Sequence, residues 1–249
     1  MQSKLRGTIL WLTGWSMPDA VFERLRQLLP DFHHLSVDYS AADSSEDILQ
    51  LTETAARNAL SANARPLLIG GWSLGALLAL KLAITELADG LILFSATAKF
   101  TRPKGQENLG WPDAYIRQMI NGLGKDRNAT EIKFRQMVFS EEESVAERAI
   151  LPSMGGRGWT TSALLAGLEI LRSSDYLGQL KEINCSVLLL HGDKDKICPH
   201  EAAEEILKLL PRGKLLTIPE SGHAPFLARE AYVAESLRSW WHDQQKNSY

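Results

Sequence analysis

A serine held between two glycines, Gly71-Trp72-Ser73-Leu74-Gly75, interrupts an apolar run that begins at Leu67-Leu68-Ile69 and resumes as Ala76-Leu77-Leu78-Ala79-Leu80. In that context the pattern reads as a buried strand, a sharp turn and a helix, with the serine backbone forced into a strained conformation that needs small neighbours. Ser73 is therefore a candidate nucleophile for acyl transfer. A hydroxyl is weak in that role and requires a base within hydrogen-bond reach, itself oriented by a carboxylate. Both follow later in the chain, each after a short apolar run: Asp193 and Asp195 within His191-Gly192-Asp193-Lys194-Asp195, and His223 within Ser221-Gly222-His223-Ala224-Pro225-Phe226. Of the six histidines, His191 is read as structural at a strand end. His33, His34, His200 and His242 lie on or beside elements without such a setting. The tetrahedral intermediate of acyl transfer also needs amide donors, and the N–H of Leu74, next after the nucleophile, is one.

Groups this far apart in sequence meet only if the ends of several elements converge. Apolar runs short enough for buried strands fall at 8–12, 35–37, 67–69, 91–94, 187–190 and 215–218, and most are separated by segments of helical periodicity. The alternation predicts an α/β fold with a mostly parallel central sheet and helices on both faces. Helices are expected over 19–29, 44–60, 74–87, 200–210 and 228–242, with Asp19 and Ser44 as N-caps. Each candidate acid or base then leaves a strand on the same edge of the sheet as Ser73. Between residues 99 and 175 the strand-like runs vanish and helical patterns take over at 113–123, 130–139 and 161–171. This stretch reads as an inserted helical cap over the crevice beyond the strand ends, with 1–98 and 176–249 as the core. Residues 244–249 read as a frayed tail.

Composition narrows the partners. Lys and Arg (27) against Asp and Glu (30) leave a net charge of −3, which points away from a nucleic-acid binder. Cys185 and Cys198 are expected as free thiols rather than a disulfide or a metal pair, and no metal or cofactor is expected. No apolar run reaches membrane-spanning length and the N-terminus lacks a signal-peptide pattern, so the expectation is a soluble, cytoplasmic monomer.

With the elbow, Trp15, Asp195 and His223 in place, the chain resembles the α/β-hydrolases over essentially its whole length. More narrowly it is similar to the pimeloyl-ACP methyl ester carboxylesterases of biotin synthesis. The matching pieces are Thr13-Gly14-Trp15, the elbow, Trp111-Pro112, Gly167-Leu168-Glu169-Ile170-Leu171 and His223-Ala224-Pro225-Phe226. The resemblance implies that Asp195, which stands in an Asp-x-x-x-Pro element, is the triad acid, with Asp193 the alternative. It implies a second oxyanion amide from the loop after the first strand, that of Trp15, although Thr13 stands where the family usually has histidine. It implies an aromatic near the ester at Phe134, and hydrolysis of a methyl ester on a pimeloyl chain borne by acyl carrier protein. The chain departs from the family in lacking early hairpin strands, in having Asp38-Tyr39-Ser40 for a Gly-rich turn, and in having Val138 where a glutamine is expected.

Simpler readings stand beside these. Trp15 and Trp72 could be core aromatics, though their flanking of Ser73 favours pocket lining. Lys125, Arg127, Lys133, Arg135, Arg148 and Arg157 form either a solvated face diluted by Glu141, Glu142 and Glu143, or a docking surface for an acidic carrier. Rival activities on the same triad are a generic carboxylesterase, a thioesterase or a lyase of the menaquinone type. A catalytically silent binding protein is the alternative of a different class.

Overall fold

The computed structural model describes residues 6–154 and 158–246. Its strands are β1 (Thr8–Leu12), β2 (His33–Ser36), β3 (Leu67–Trp72), β4 (Gly90–Phe94), β5 (Ser186–Gly192) and β6 (Gly213–Ile218). Its α-helices are α1 (Glu23–Leu28), α2 (Ser45–Ser61), α3 (Leu74–Ile84), α4 (Asp113–Lys125), α5 (Arg127–Gln136), α6 (Val145–Arg148), α7 (Ile150–Ser153), α8 (Thr161–Ser173), α9 (His200–Leu209) and α10 (Glu230–Lys246). The strands form one sheet in the order β2-β1-β3-β4-β5-β6, every neighbouring pair parallel. All strands thus run the same way, and the segments leaving β1, β3, β5 and β6 emerge on one edge. That shared edge is where Ser73, the aspartates and His223 lie.

The central strands β1, β3 and β4 are buried along their whole length, which is why they read as unbroken apolar runs rather than as alternation. The two edge strands differ from the expectation of burial: β2 and most of β6 are exposed or half-buried, because only one neighbour covers each. Helix α3 is apolar nearly all round and almost entirely buried, whereas α2 buries one stripe, Ile48, Thr52, Ala56 and Ala59. Ser44 caps α2 as expected, its hydroxyl accepting from the Asp47 N–H at 3.1 Å. Asp19 does not cap. The expected helix over 19–29 is a 3-10 turn over Asp19–Phe22 followed by α1, and Pro18 holds the N-cap position. The Asp19 carboxylate is instead gripped by both arms of the Arg26 guanidinium, at 2.5 and 2.7 Å. Of the expected frayed tail, 244–246 belong to α10, with Gln244 accepting from the Ser186 hydroxyl at 2.8 Å, and 247–249 lie outside the described residues.

Between β4 and β5 the described residues make α4 to α8 and no strand of the sheet. The two ends of this stretch meet, since Lys99 bridges Asp175 through the backbone and its ammonium pairs with the Asp175 carboxylate at 2.7 Å. Helix α8 packs on α2 and α3, and α4 on α5. No helix among the described residues is long and apolar enough to cross a membrane, and no cluster of three or more ligating side chains that could hold a metal occurs among them.

Candidate active site

Ser73 stands between β3 and α3 with φ 57° and ψ −113°, a left-handed conformation that costs a non-glycine residue on the order of 1–3 kcal/mol. The flanking glycines are there for space. A Cβ at Gly71 would lie 2.3 Å from the Gly75 carbonyl oxygen, and one at Gly75 would lie 2.1 Å from the Leu12 oxygen. The strand, the helix start and the end of β1 therefore pass closer than any side chain permits. The turn is fixed by the Ser73 N–H, which donates to Phe94 at 3.0 Å, and by the Ala76 N–H, which donates back to Ser73 at 2.9 Å.

The structure separates the two aspartates. Asp195 is buried and its Oδ2 accepts from His223 Nδ1 at 2.8 Å, while its Oδ1 accepts the N–H groups of Ile197 and Cys198 at 2.8 and 2.9 Å. Asp193 is exposed. Burial by itself would raise the Asp195 pKa, but the charge of His223 and hydrogen bonds from His191 and His223 outweigh it and hold the carboxyl well below the usual range. With Nδ1 as donor to Asp195, a neutral His223 has Nε2 as its acceptor. That atom is buried and makes no hydrogen bond among the described residues. No hydrogen bond joins the Ser73 hydroxyl to it in this structure.

The loop after β1 passes close to Ser73. A Cβ at Gly14 would sit 3.5 Å from Ser73 Cβ, so the Thr13-Gly14-Trp15 backbone runs against the nucleophile. The N–H groups of Trp15 and Leu74 donate to no protein acceptor among the described residues. Both indoles near Ser73 are buried, Trp15 at 1 % and Trp72 at 0 % exposure. Trp72 Nε1 donates to the His223 carbonyl at 2.6 Å, and Trp15 Nε1 to that of Leu164 at 2.8 Å. Phe134 packs edge-on against Trp15, with centroids 4.9 Å apart. It also forms part of the wall of a cleft of about 530 Å³ whose lining includes Trp111, Met119, Met137, Lys133 and Lys196.

Several residues at the site make contacts beyond the sequence expectation, including His191, whose expected role is structural at a strand end. His191 is buried, hydrogen-bonded through Nε2 to the Cys198 carbonyl at 2.7 Å, and 3.4 Å from Asp195 Oδ2. Glu143 is not a surface charge diluting a basic patch: it is 3 % exposed and accepts from the N–H groups of Ser140 and Gly222 at 2.7 and 3.1 Å, with Arg229 3.4 Å away. Val138 takes part through its backbone, its carbonyl accepting the His223 N–H at 2.7 Å. The cations expected as one face are not equivalent. Arg127 and Arg135 pair with the buried Glu131. Arg135 also donates to the Ser16 carbonyl at 3.0 Å, and Arg148 donates to three backbone carbonyls. Lys125 and Lys133 are exposed, and Arg157 lies outside the described residues.

Comparison with known proteins gives a consistent picture. A family model described as the alpha/beta hydrolase family matches residues 9–235. A pimeloyl-[acyl-carrier protein] methyl ester esterase of Nitrosomonas europaea is 31 % identical over 234 residues, 88 % of this chain and 90 % of that protein. One from Stenotrophomonas maltophilia is 32 % identical over 240 residues, 92 % of this chain and 91 % of that protein. Among solved structures, an esterase from Exiguobacterium antarcticum superposes with a TM-score of 0.81 at 21 % identity, covering 96 % of this chain and 93 % of that one, a likeness of fold.

Two substitutions test the geometry. Asp195→Asn should lower kcat on a p-nitrophenyl ester by about 10⁴-fold if it fixes the imidazole tautomer, whereas Asp193→Asn should leave it within about twofold; the reverse ranking would reassign the acid. Gly167→Ala would bring a methyl group 2.8 Å from Trp15 Cδ1 and 3.1 Å from Leu74 Cδ2. Because helix α8 sits on both residues, that variant should lose roughly tenfold or more in kcat with a small change in melting temperature. Steady-state rates beside thermal melts distinguish the two effects.

Proposed function

The chain belongs to the alpha/beta hydrolase family, and from that premise we propose that it is a serine esterase hydrolysing the methyl ester of a pimeloyl chain carried on acyl carrier protein. The observation that carries the catalytic part is the buried Asp195–His223 pair beside a nucleophile held at positive φ. The substrate part draws on the relatives of that name, which match about nine-tenths of the chain.

In this reading His223 Nε2 removes the proton from Ser73 Oγ as the oxygen attacks the ester carbonyl. The developing oxyanion is met by the N–H groups of Leu74 and Trp15. His223 then returns the proton to the departing methoxide, so methanol leaves and an acyl-enzyme remains on Ser73. Water, deprotonated by the same imidazole, attacks the acyl carbon, and His223 returns that proton to Ser73 Oγ as the acyl–oxygen bond breaks, releasing the acid, which ionises to the free carboxylate. Asp195 keeps Nδ1 protonated and balances the imidazolium. All the atoms moved come from the ester, water and these residues.

Residues 99–175 act in this reading as the cap, with 1–98 and 176–249 as the core. Phe134 joins the two parts of the proposed substrate path, since one side of it faces the apolar cleft and its ring edge meets Trp15. Carrier docking falls to Lys133, which is exposed and lines the mouth of that cleft. Arg135 is a poorer candidate than its spacing suggested, because its guanidinium is committed to Ser16 and Glu131.

Ser73→Ala should lower kcat by on the order of 10⁶, with no further loss on adding His223→Ala, because the members of a triad act as one unit. The wild-type chain should restore growth without biotin to a strain lacking its own pimeloyl-ester esterase, and the Ser73→Ala variant should not. Ester turnover without rescue would leave the esterase and remove the pimeloyl substrate. Lys133→Glu should raise KM for the carrier-borne ester roughly threefold or more and weaken its salt dependence, with little change on a free methyl ester. Equal loss on both substrates would mean damage to the cap rather than to docking.

A further inference from the structure

We propose that Tyr39 is a positioning residue for the oxyanion loop: by donating its hydroxyl to the Thr13 carbonyl it aims the Trp15 amide at the oxygen that becomes negative on Ser73. The inference rests on the serine-esterase reading and adds to it a residue that touches neither substrate nor nucleophile. Tyr39 follows the edge strand β2, yet it is 1 % exposed. Its ring meets Trp159 edge-on with centroids 5.5 Å apart. The hydroxyl donates to Thr13 O at 2.6 Å and receives the Thr13 side-chain hydroxyl at 3.3 Å.

The Thr13 carbonyl belongs to the peptide plane immediately before the Gly14–Trp15 plane, which carries the proposed donor. Fixing the first plane limits the rotation open to the second, and glycine between them supplies no side chain to do so. The carbonyl is also enclosed from the far side, since a Cβ at Gly75 would lie 2.8 Å from it. The Gly14–Trp15 plane is also held at its own carbonyl, which accepts the Met17 N–H at 3.2 Å, and residues farther along have anchors of their own, Trp15 Nε1 on Leu164 and Met17 O under Trp159 Nε1 at 3.0 Å, so Tyr39 acts on the plane that precedes the donor. At the Thr13 end the Tyr39 hydroxyl is what holds the plane. Burial pushes the phenol upward from its ordinary pKa, so it remains a neutral donor throughout the working range. Two departures seen in the sequence, threonine at position 13 and Asp38-Tyr39-Ser40 in place of a Gly-rich turn, thereby meet in one hydrogen bond.

The test is Tyr39→Phe, which keeps the ring and its contact with Trp159 while deleting the donor. On a p-nitrophenyl ester, kcat should fall about tenfold, less than the full loss of an oxyanion donor, with KM within about twofold. The affinity for a trifluoromethyl ketone, whose hemiketal oxyanion needs the same amides, should fall by the same factor as kcat/KM. The loss should be constant from pH 6 to 9, roughly the range in which a neutral phenol keeps its proton. Unchanged kcat in Tyr39→Phe would overturn the proposal. So would a fall in kcat without the parallel fall in ketone affinity, or a variant that fails to fold, since either makes the hydroxyl a structural group. Wild-type protein that hydrolyses no ester would instead overturn the esterase reading.

Discussion

The strained turn at Ser73 is the constraint from which the rest of the site follows. A serine at φ 57° persists only where the surroundings over-determine it, and here the end of β1, the end of β3 and the first turn of α3 lock around it without room for a Cβ at Gly71 or Gly75. Packing this close requires that β1 and β3 be neighbours and parallel, as they are. The same parallelism carries β5 and β6 to the same edge, so a carboxylate and an imidazole 28 residues apart arrive in hydrogen-bonding contact. The sheet direction, set by crossover helices, is what turns scattered residues into a site.

The segments between β4 and β5 complete the hydrogen bonding of the core loops. The base loop gives its His223 N–H to Val138 and its Gly222 N–H to Glu143. The loop after β1 gives its Ser16 hydroxyl to Glu131 at 2.5 Å and its Trp15 indole to α8. Burying two carboxylates is costly unless each is surrounded by donors. Glu143 has Ser140, Gly222 and Arg229 around it, and Glu131 has Ser16, Arg127 and Arg135. Each buried charge ties one of these segments to a core loop, so displacement of these helices would take Ser16 from Glu131, and Gly222 and Arg229 from Glu143.

These ties also mark how far the sequence could be read. The strands were legible because central parallel strands are buried on both faces and show as unbroken apolar runs; the edge strands gave a weaker signal, β2 having only Leu35 among His33, His34 and Ser36, and β6 being exposed or half-buried except at Ile218. The acid could not be chosen on residue type, because Asp193 and Asp195 both follow β5. What distinguishes Asp195 is that the backbone turns to offer it the N–H groups of Ile197 and Cys198. Arg127, Glu131 and Arg135 had a readable signal, opposite charges four apart on a helix, and their removal from the docking face could have been anticipated. Glu143 had none, since its partner Arg229 lies 86 residues away.

The surroundings of Asp195 bear on how such a triad can work. Proton transfer from serine creates an imidazolium beside a buried carboxylate, and a carboxylate in an apolar setting would ordinarily become basic enough to compete for that proton. Here two backbone amides, His223 and the nearby His191 all stabilise its charged form, and its pKa lies low despite burial. The proton shared with His223 Nδ1 therefore stays on the ring. In the proposed mechanism Asp195 acts as a fixed negative charge and a tautomer lock, leaving the basicity of the site on Nε2, the buried ring atom that faces no competing donor.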